Sequence, residues 1–252
     1  MKIFITGGTT GIGLALAESY LQDGHQVGIC GRDLTKLPVE LTKKFPLFKS
    51  YAVDVLDSQN LSAAVEDFAQ GELDLMIANA GISDGMKSKV PNFETVKKVL
   101  NINILGVVNA FEVAAKLMLP KKQGTMVAVA SVAGMVGIPG AAAYSASKAE
   151  VLTFCESLSI GLRSEGIHVC AVAPGFVDTP LTKKNRHIMP FIMDADKAAK
   201  IIKQGIAKKN PLIVFPWPMK WLMFMLSRIP RCWYRFMMGL KLSDYTEYAS
   251  KK

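Results

Sequence analysis

Residues 2–13 read KIFITGGTTGIG, and this stretch decides the fold. Its apolar first part, Lys2–Thr6, predicts a buried strand, and the amphipathic stretch Gly13–Gln22 predicts the helix that follows. Glycines in the connecting loop allow a sharp turn and let the backbone approach a pyrophosphate, which the unpaired N–H groups of the first helical turn can bind. The order of strand, loop and helix therefore predicts a dinucleotide site. Its predicted cofactor-binding residues are Gly7, Thr9, Thr10, Gly11, Ile12 and Gly13.

Downstream of this unit, short apolar segments alternate with amphipathic segments as far as residue 173. The alternation predicts an α/β fold, a doubly wound, Rossmann-like parallel sheet with helices on both faces. We expect a single domain. Residues 1–210 would form its dinucleotide-binding and catalytic part, and residues 211–252 an apolar and basic helical extension, packed on the same domain or at a membrane surface. The predicted strands are Lys2–Thr6, Gln26–Gly31, Phe48–Val53, Asp74–Ala78, Thr125–Ser131 and Ile167–Ala173, and the predicted helices include Gly13–Gln22, Ser58–Ala69, Val96–Leu119, Ala142–Arg163 and Asp196–Lys208.

Composition and charge limit the classes of function. The net charge is +9, and the basic excess lies in residues 181–252, which contain 15 Lys and Arg against 4 Asp and Glu. Because the aromatic residues of that region lie in an apolar stretch, we expect a lipid surface rather than nucleic acid as its partner. No secretory signal is expected, since the first apolar run ends at Thr6. Four widely spaced cysteines predict free buried thiols, no metal site and a reducing, cytoplasmic compartment (Cys30, Cys155, Cys170, Cys232).

The end of the second predicted strand bears on the choice of cofactor. NAD-binding proteins of this fold usually place an acid there to accept a hydrogen bond from the ribose 2′-hydroxyl. This chain has Gly31, followed by Arg32, whose guanidinium can pair with a 2′-phosphate. We therefore expect NADP(H) to be preferred over NAD(H). Asp33 leaves an alternative open, because a shift of one residue in register would present an acid at this position.

Tyr144 and Lys148 are four residues apart in a helical pattern, which places both side chains on one face of the helix. A phenol titrates near pH 10, and a nearby ammonium group lowers that pKa, so the pair is suited to proton transfer. Ser131 is predicted to end a strand 13 residues before Tyr144. Its hydroxyl can donate a hydrogen bond to a carbonyl oxygen close to the phenol.

With these motifs the chain resembles the short-chain dehydrogenase/reductase superfamily over roughly residues 1–180. Residues 6–13 match the family's TGxxxGIG loop, residues 144–148 its YxxxK motif and residues 174–179 its PG segment. Residues 78–81 resemble the NNAG motif, with Ala78 in place of the first Asn. The resemblance extends the predicted cofactor-binding set to Asp54, Val55, Asn79, Ala80, Gly81, Tyr144, Lys148, Pro174, Gly175, Val177 and Thr179.

The resemblance also implies the catalytic roles. Tyr144 gives or takes the proton of the substrate hydroxyl, and Lys148 lowers the pKa of Tyr144 and holds the nicotinamide ribose. Ser131 stabilises the developing alkoxide, and Asn103 links Lys148 to solvent through water. Asp54 contacts the adenine amino group, and the backbone and Thr of the PG segment receive the nicotinamide carboxamide. Histidines have no implied role, and we expect them at the surface or in loops (His25, His168, His187).

Together these features predict an NADP(H)-dependent oxidoreductase that reduces a carbonyl or oxidises a secondary alcohol of a small, lipophilic substrate. Two alternatives remain, a cofactor-binding sensor or scaffold without turnover, and an epimerase or dehydratase that uses the cofactor transiently. The resemblance implies about seven strands and a homodimer or tetramer paired through the long helices. The loops expected to form the substrate pocket, residues 82–92, 132–143 and 181–195, do not identify the substrate.

Residues 211–240 form the apolar part of the extension and contain all three tryptophans. No apolar run reaches the ~18–20 residues of a membrane-spanning helix. Pro230 is expected to divide the segment into two short helices, on which the cations fall within an arc of about 100°. Three roles stay open, namely a lid over a hydrophobic substrate pocket, peripheral attachment to the cytoplasmic face of an anionic membrane through residues 216–240, and a dimer interface. The aromatic residues and cations concerned are Trp217, Trp221, Trp233, Lys220, Arg228, Arg231 and Arg235.

Overall fold

The computed structural model describes residues 1–83, 91–184 and 189–239, so His187, parts of two predicted pocket loops and the last residues of the extension lie outside the description. Strands and helices alternate along the described chain. The strands are β1 (Lys2–Thr6), β2 (Gln26–Gly31), β3 (Phe48–Ala52), β4 (Leu75–Ala78), β5 (Gly124–Val129), β6 (Ile167–Pro174), β7 (Val177–Asp178), β8 (Met193–Asp194) and β9 (Leu212–Phe215). The helices are α1 (Gly11–Gln22), α2 (Val39–Lys44), α3 (Ser58–Ala69), α4 (Phe93–Leu100), α5 (Gly106–Met118), α6 (Ala142–Gly161), α7 (Ala195–Ala207), α8 (Trp217–Arg228) and α9 (Arg231–Gly239).

Seven of the strands form one parallel sheet in the order β3-β2-β1-β4-β5-β6-β9. Its central strands are buried on both faces, which explains their continuous runs of Ile, Val and Ala in place of an alternating pattern. Helices α3, α5 and α6 pack on one face, and α1 and α7 pack on the other. The predicted doubly wound, Rossmann-like α/β fold in one domain is confirmed.

Two predicted elements differ in detail. The helix expected over Val96–Leu119 begins at Phe93 and is interrupted by a π-helical turn at Asn101–Leu105, which separates α4 from α5. Single π turns of this kind are frequent at functional sites. The strand predicted to end at Ser131 ends at Val129, and Ser131 instead caps a short 3₁₀ turn by accepting a hydrogen bond from the N–H of Ala133.

The extension that begins at residue 211 starts inside the sheet, because β9 pairs with β6. It continues as α8 and α9, which are separated at Pro230 as expected, and both pack over the segment that follows Ser131. Of the described residues only the stretch Phe93–Lys121 is long and apolar enough to cross a membrane, and half of its most apolar window is buried inside the protein. A core helix that packs on the sheet passes the same test of length and composition.

Two expectations about single residues were wrong. Cys232 lies exposed on α9, whereas the other three cysteines are buried thiols as predicted. His168 is not in a loop, because it lies half-buried within β6, opposite Thr125 of β5. Both errors have the same cause, since the burial of a side chain depends on which elements cover it and not on its neighbours in sequence.

Candidate functional site

The carboxyl ends of the strands border a cavity of about 550 Å³. Its volume lies in the range of ligand pockets, about 300–1,000 Å³. The cavity opens beside the point where the sheet order changes direction between β1 and β4, which is where open α/β sheets bind their ligands. The predicted site residues that line it are Gly7, Thr9, Thr10, Gly11, Ile12, Arg32, Asp54, Val55, Asn79, Ala80, Gly81, Ser131, Tyr144, Lys148, Pro174, Gly175, Val177 and Thr179.

The glycine-rich loop is shaped by close contacts that only glycine permits. Gly7 has φ +65° and Gly11 has φ +59°, in the left-handed region that favours glycine. Gly13 does not line the cavity, but a Cβ added to it would lie 2.4 Å from the carbonyl oxygen of Gly7. The loop therefore lies tightly against the start of α1, whose first N–H groups have no partner within the helix. This geometry fits a pyrophosphate bound at the helix N-terminus.

Asn79 joins the glycine-rich loop to the end of β4. Its side-chain amide donates to the carbonyl oxygens of Thr6 at 3.1 Å and Gly7 at 3.0 Å. The hydroxyl of Thr6 accepts in turn from the backbone N–H groups of Asn79 and Ala80, each at 3.1 Å. These bonds fix the positions of two neighbouring strand ends. Ala78, where the family pattern has Asn, is buried within β4.

At the end of β2 the structure explains why no acid replaces Gly31. A Cβ on Gly31 would lie 2.6 Å from Cγ2 of Thr9, so a side chain there would have to displace the side chain of Thr9. The Asp33 carboxylate is already engaged, since it accepts from the backbone N–H of Thr35 at 3.0 Å and lies 3.2 Å from Nζ of Lys36. The Thr35 hydroxyl also donates to this carboxylate and has the largest effect, and together with Lys36 and the Thr35 N–H it holds the pKa of Asp33 below its ordinary value.

Lys36 was missed by the sequence reasoning. Together with the exposed Arg32 it lines the end of the cavity beside β2, the predicted adenosine end, so that these two cations and the carboxylates of Asp33 and Asp54 border this end. The signal in the sequence was weak, because Lys36 reaches the cavity only through the 3₁₀ turn Leu34–Lys36 that Asp33 caps. Asp54 lines the same region, and its carboxylate accepts from the N–H of Leu56 at 3.0 Å.

Ser131 and Tyr144 meet at the opposite end of the cavity. Burial raises the pKa of Tyr144 above its ordinary value, and the Ser131 side chain beside the phenol has a smaller, opposite effect. The Ser131 hydroxyl also lies 3.4 Å from the carbonyl oxygen of Pro174. The expected lowering of the Tyr144 pKa by Lys148 is therefore not observed, because loss of solvent outweighs every other influence on the phenol.

Lys148 lies beneath Tyr144 on the same face of α6, with its ammonium nitrogen 5.7 Å from the centre of the phenol ring. It is 4% exposed, and its single protein acceptor among the described residues is the carbonyl oxygen of Val129, at 2.7 Å. Burial lowers the pKa of Lys148 from 10.5 to about 8. The group therefore remains largely charged at neutral pH.

Asn103 lies in the π-helical turn, fully buried behind the cavity wall. Its amide accepts from the N–H of Ile82 at 2.8 Å and donates to the carbonyl oxygen of the same residue at 2.9 Å. It also donates to the hydroxyl of Ser147 at 3.0 Å, which in turn donates to the carbonyl oxygen of Tyr144 at 2.8 Å. Asn103 thus connects the loop after β4 with the helix that carries Tyr144 and Lys148. Ser147, a buried residue in this path, was not singled out from the sequence.

The PG segment closes the cavity from the third side. The N–H of Gly175 donates to the carbonyl oxygen of Phe215 at 2.7 Å, which joins the segment to β9. Thr179 lies against the glycine-rich loop, since a Cβ on Gly11 would lie 3.1 Å from the side chain of Thr179. The structure therefore places the two ends of the predicted cofactor site on the same cavity. His25 and His168 do not line it.

Comparisons with known proteins agree with this geometry. The family described as short chain dehydrogenase matches residues 1–189. An uncharacterized oxidoreductase of Myxococcus xanthus is 34% identical over 218 residues, 84% of this chain and 86% of that protein. A 3-oxoacyl-[acyl-carrier-protein] reductase of Thermotoga maritima is 34% identical over 186 residues, 71% of this chain and 75% of that protein. The crystal structure of a short chain dehydrogenase from Burkholderia cenocepacia in complex with NADP superposes with a TM-score of 0.82, at 19% identity, over 94% of this chain and 97% of that one.

Proposed function

The chain belongs to the short chain dehydrogenase family and is an oxidoreductase of that family, and from this premise we propose that it uses NADP(H) to reduce a carbonyl group, or to oxidise a secondary alcohol, of a lipophilic small molecule. One observation carries the proposal. The hydroxyls of Ser131 and Tyr144 line the same cavity as the glycine-rich loop, with the ammonium group of Lys148 next to them.

When bound, a nicotinamide cofactor supplies or accepts the hydride, and the side chains of this chain position the substrate and move the proton. Ser131 donates a hydrogen bond to the substrate oxygen, and Tyr144 donates its hydroxyl proton to that oxygen as negative charge develops there. Because burial raises the pKa of Tyr144, the phenol is protonated at neutral pH. That is the form in which Tyr144 can act as the acid in carbonyl reduction.

Lys148 and Asn103 support this step from behind the cavity wall. The ammonium group of Lys148 holds the cofactor ribose and stabilises the phenolate that remains after proton transfer. Asn103 is 0% exposed and fixes α6 through Ser147, so that Tyr144 and Lys148 are held in place before substrate binds. A water on the Asn103 side would return the proton from solvent to Tyr144 by way of Lys148.

The preference for NADP(H) is supported by the charges around the adenosine end. Arg32 and Lys36 line the cavity there, and the Asp33 carboxylate is held by Thr35 and Lys36 rather than directed at a ribose hydroxyl. A 2′-phosphate placed beside Arg32 gains a charge-assisted hydrogen bond, whereas a 2′-hydroxyl finds no acid at Gly31. This is the physical basis of the proposed selectivity.

The extension supplies the argument for a lipophilic substrate and for membrane contact. Eight large apolar side chains of α8 and α9 are exposed, and we define six of them as the aromatic surface: Trp217, Trp221, Phe224, Met225, Trp233 and Phe236. An exposed apolar surface of this kind with Arg and Lys beside it suits the interface of an anionic membrane. Buried Met219 and Met223 on the other side of α8 pack against Val132 and Val136, next to Ser131. A cytoplasmic location and a homodimer or tetramer are also part of the proposal.

The experiment is to follow NADPH absorbance with a panel of aldehydes, ketones and long-chain 3-oxoacyl compounds, with NADH in parallel. We expect net oxidation of NADPH with at least one carbonyl compound, and weaker activity with NADH. Binding of NADPH with no turnover on the panel would favour the sensor or scaffold alternative. Conversion of an alcohol substrate without net change in NADPH would favour the epimerase or dehydratase.

A further inference from the structure

A second cavity, of about 680 Å³, lies between α9, the segment Gly134–Pro139 and the first half of α6. None of its lining residues lines the cofactor cavity. Tyr234 of α9 closes one side, where its hydroxyl donates to the carbonyl oxygen of Gly137 at 2.6 Å. The wall is mostly apolar, and the residues that form it include Met135, Val136, Ile138, Ala146, Ala149 and Met238.

Two guanidinium groups border this apolar cavity. Arg231 and Arg235 are four residues apart on α9, so they lie on the same face one turn apart, and both line the cavity. Within residues 1–83, 91–184 and 189–239 neither forms an ion pair. A pair of cations beside an apolar cavity favours a ligand that is anionic at one end.

The two faces of α9 differ in composition. Trp233 and Phe236 face away from the cavity and are 64% and 65% exposed. On the other face Arg231 and Arg235 flank the buried Tyr234, and all three line the cavity. Both arginines are exposed, so they lie at the rim of the cavity, in contact with solvent.

We infer that this second cavity binds an anionic single-chain amphiphile. Its alkyl chain lies against the apolar wall, and its carboxylate or phosphate group accepts hydrogen bonds from Arg231 and Arg235, because a guanidinium pairs with both anions in two-point geometry. The ligand joins α9 to α6 and to the segment after Ser131. The inference does not depend on turnover or on membrane contact, since its residues belong neither to the cofactor cavity nor to the outward aromatic face of α9.

Calorimetric titration of the full chain with dodecanoate, dodecyl phosphate and dodecanol, each below its aggregation concentration, tests the inference. We expect both anions to bind and the neutral alcohol to bind about tenfold or more weakly, as the loss of a charge-assisted hydrogen bond implies. A difference in affinity between the two anions shows whether the site prefers a fatty acid or an alkyl phosphate. Equal binding of all three compounds, or binding of inorganic phosphate as tight as that of dodecyl phosphate, would overturn the inference.

Matched variants locate the site. Arg231→Gln with Arg235→Gln should weaken dodecanoate binding about tenfold or more, whereas Lys220→Gln with Arg228→Gln removes the same charge from α8 and should leave it unchanged. Ala149→Leu fills the cavity and should weaken the binding of dodecanol as well as of the anions. Unfolding temperatures measured without ligand show whether each variant is folded. If the α8 pair weakens binding as much as the α9 pair, the anion is attracted by general charge and the cavity is not its site.

Discussion

The ammonium nitrogen of Lys148 lies 2.7 Å from the carbonyl oxygen of Val129, to which it donates a hydrogen bond across the end of β5. This single bond partly compensates a charged group that is 4% exposed. Burial disfavours the charged form, so the pKa of Lys148 falls from 10.5 to about 8. The buried charge of Lys148 lowers the stability of the protein. Because the pKa of Lys148 is lowered, this cost can be measured as a dependence of stability on pH.

Lys148→Met should stabilise the protein without nucleotide at pH 7. Between pH 8 and 10.5 the unfolded chain binds the Lys148 proton and the folded chain does not, so this group's contribution to the free energy of unfolding rises with pH. The full change is about 3 kcal/mol. We therefore expect the advantage of the variant in urea unfolding at pH 7 to shrink as the pH is raised to 10. Lys197→Met, at an exposed position of α7, is the control, and a pH-independent difference for Lys148→Met would contradict the argument.

Tyr144→Phe removes the hydroxyl that transfers the proton and leaves the ring in place. We expect turnover to fall about 100- to 10,000-fold, because general acid catalysis contributes that much. The dissociation constant of NADPH, measured by fluorescence, should change little. Tyr51→Phe is the control, since that phenol is bonded to Asp67 at 2.6 Å outside the cavity. Comparable turnover in the Tyr144 variant would refute its assignment as the proton donor.

Arg32→Ala should change the selectivity between the two cofactors. The dissociation constant of NADPH is expected to rise about 10- to 100-fold, as for the loss of a hydrogen bond to a charged group, while that of NADH changes little. Lys36→Ala should have the same sign and a smaller size, because Lys36 is already paired with Asp33. Arg163→Ala, an exposed arginine away from the cavity, is the control. If Arg32→Ala weakened the binding of both cofactors equally, Arg32 would not bind the 2′-phosphate.

Gly13→Ala tests the close packing of the glycine-rich loop. The added methyl group would lie 2.4 Å from the carbonyl oxygen of Gly7 and 2.5 Å from the amide nitrogen of Asn79. We expect a loss of about 1–3 kcal/mol in the free energy of unfolding, together with weaker NADPH binding. Gly161→Ala, where an added Cβ meets nothing within 4 Å, should not destabilise the protein. Wild-type stability and cofactor affinity in Gly13→Ala would disprove the tight contact.

The proposed membrane contact predicts that the protein floats with vesicles of phosphatidylglycerol and phosphatidylcholine, and less with phosphatidylcholine alone. Phe236→Ala combined with Trp233→Ala should reduce flotation, because both side chains belong to the aromatic surface. Phe93→Ala is a matched control, since Phe93 on α4 and Phe236 on α9 are both 65% exposed. Failure of the intact chain to bind anionic vesicles would remove membrane contact from the proposal.

The local motifs could be predicted from the sequence alone. The first unit of strand, loop and helix, the spacing of Tyr144 and Lys148, and the division of the extension at Pro230 all depend on residues close together in the chain. Local backbone preference and the period of a helix fix such features. The sequence also determined the order of strands and helices, and hence a parallel sheet with its ligand cavity at the carboxyl ends.

Contacts between distant segments were decided only by the tertiary structure. The exclusion of a side chain at Gly31 depends on Thr9, and the bond from Asn103 to Ser147 joins residues 44 positions apart. The pKa of Tyr144 is raised because several elements bury the phenol. From the sequence only the effect of Lys148 could be considered, and it predicted a lowered pKa. Desolvation is the sum of everything that covers a group. That sum exists only once the chain has folded.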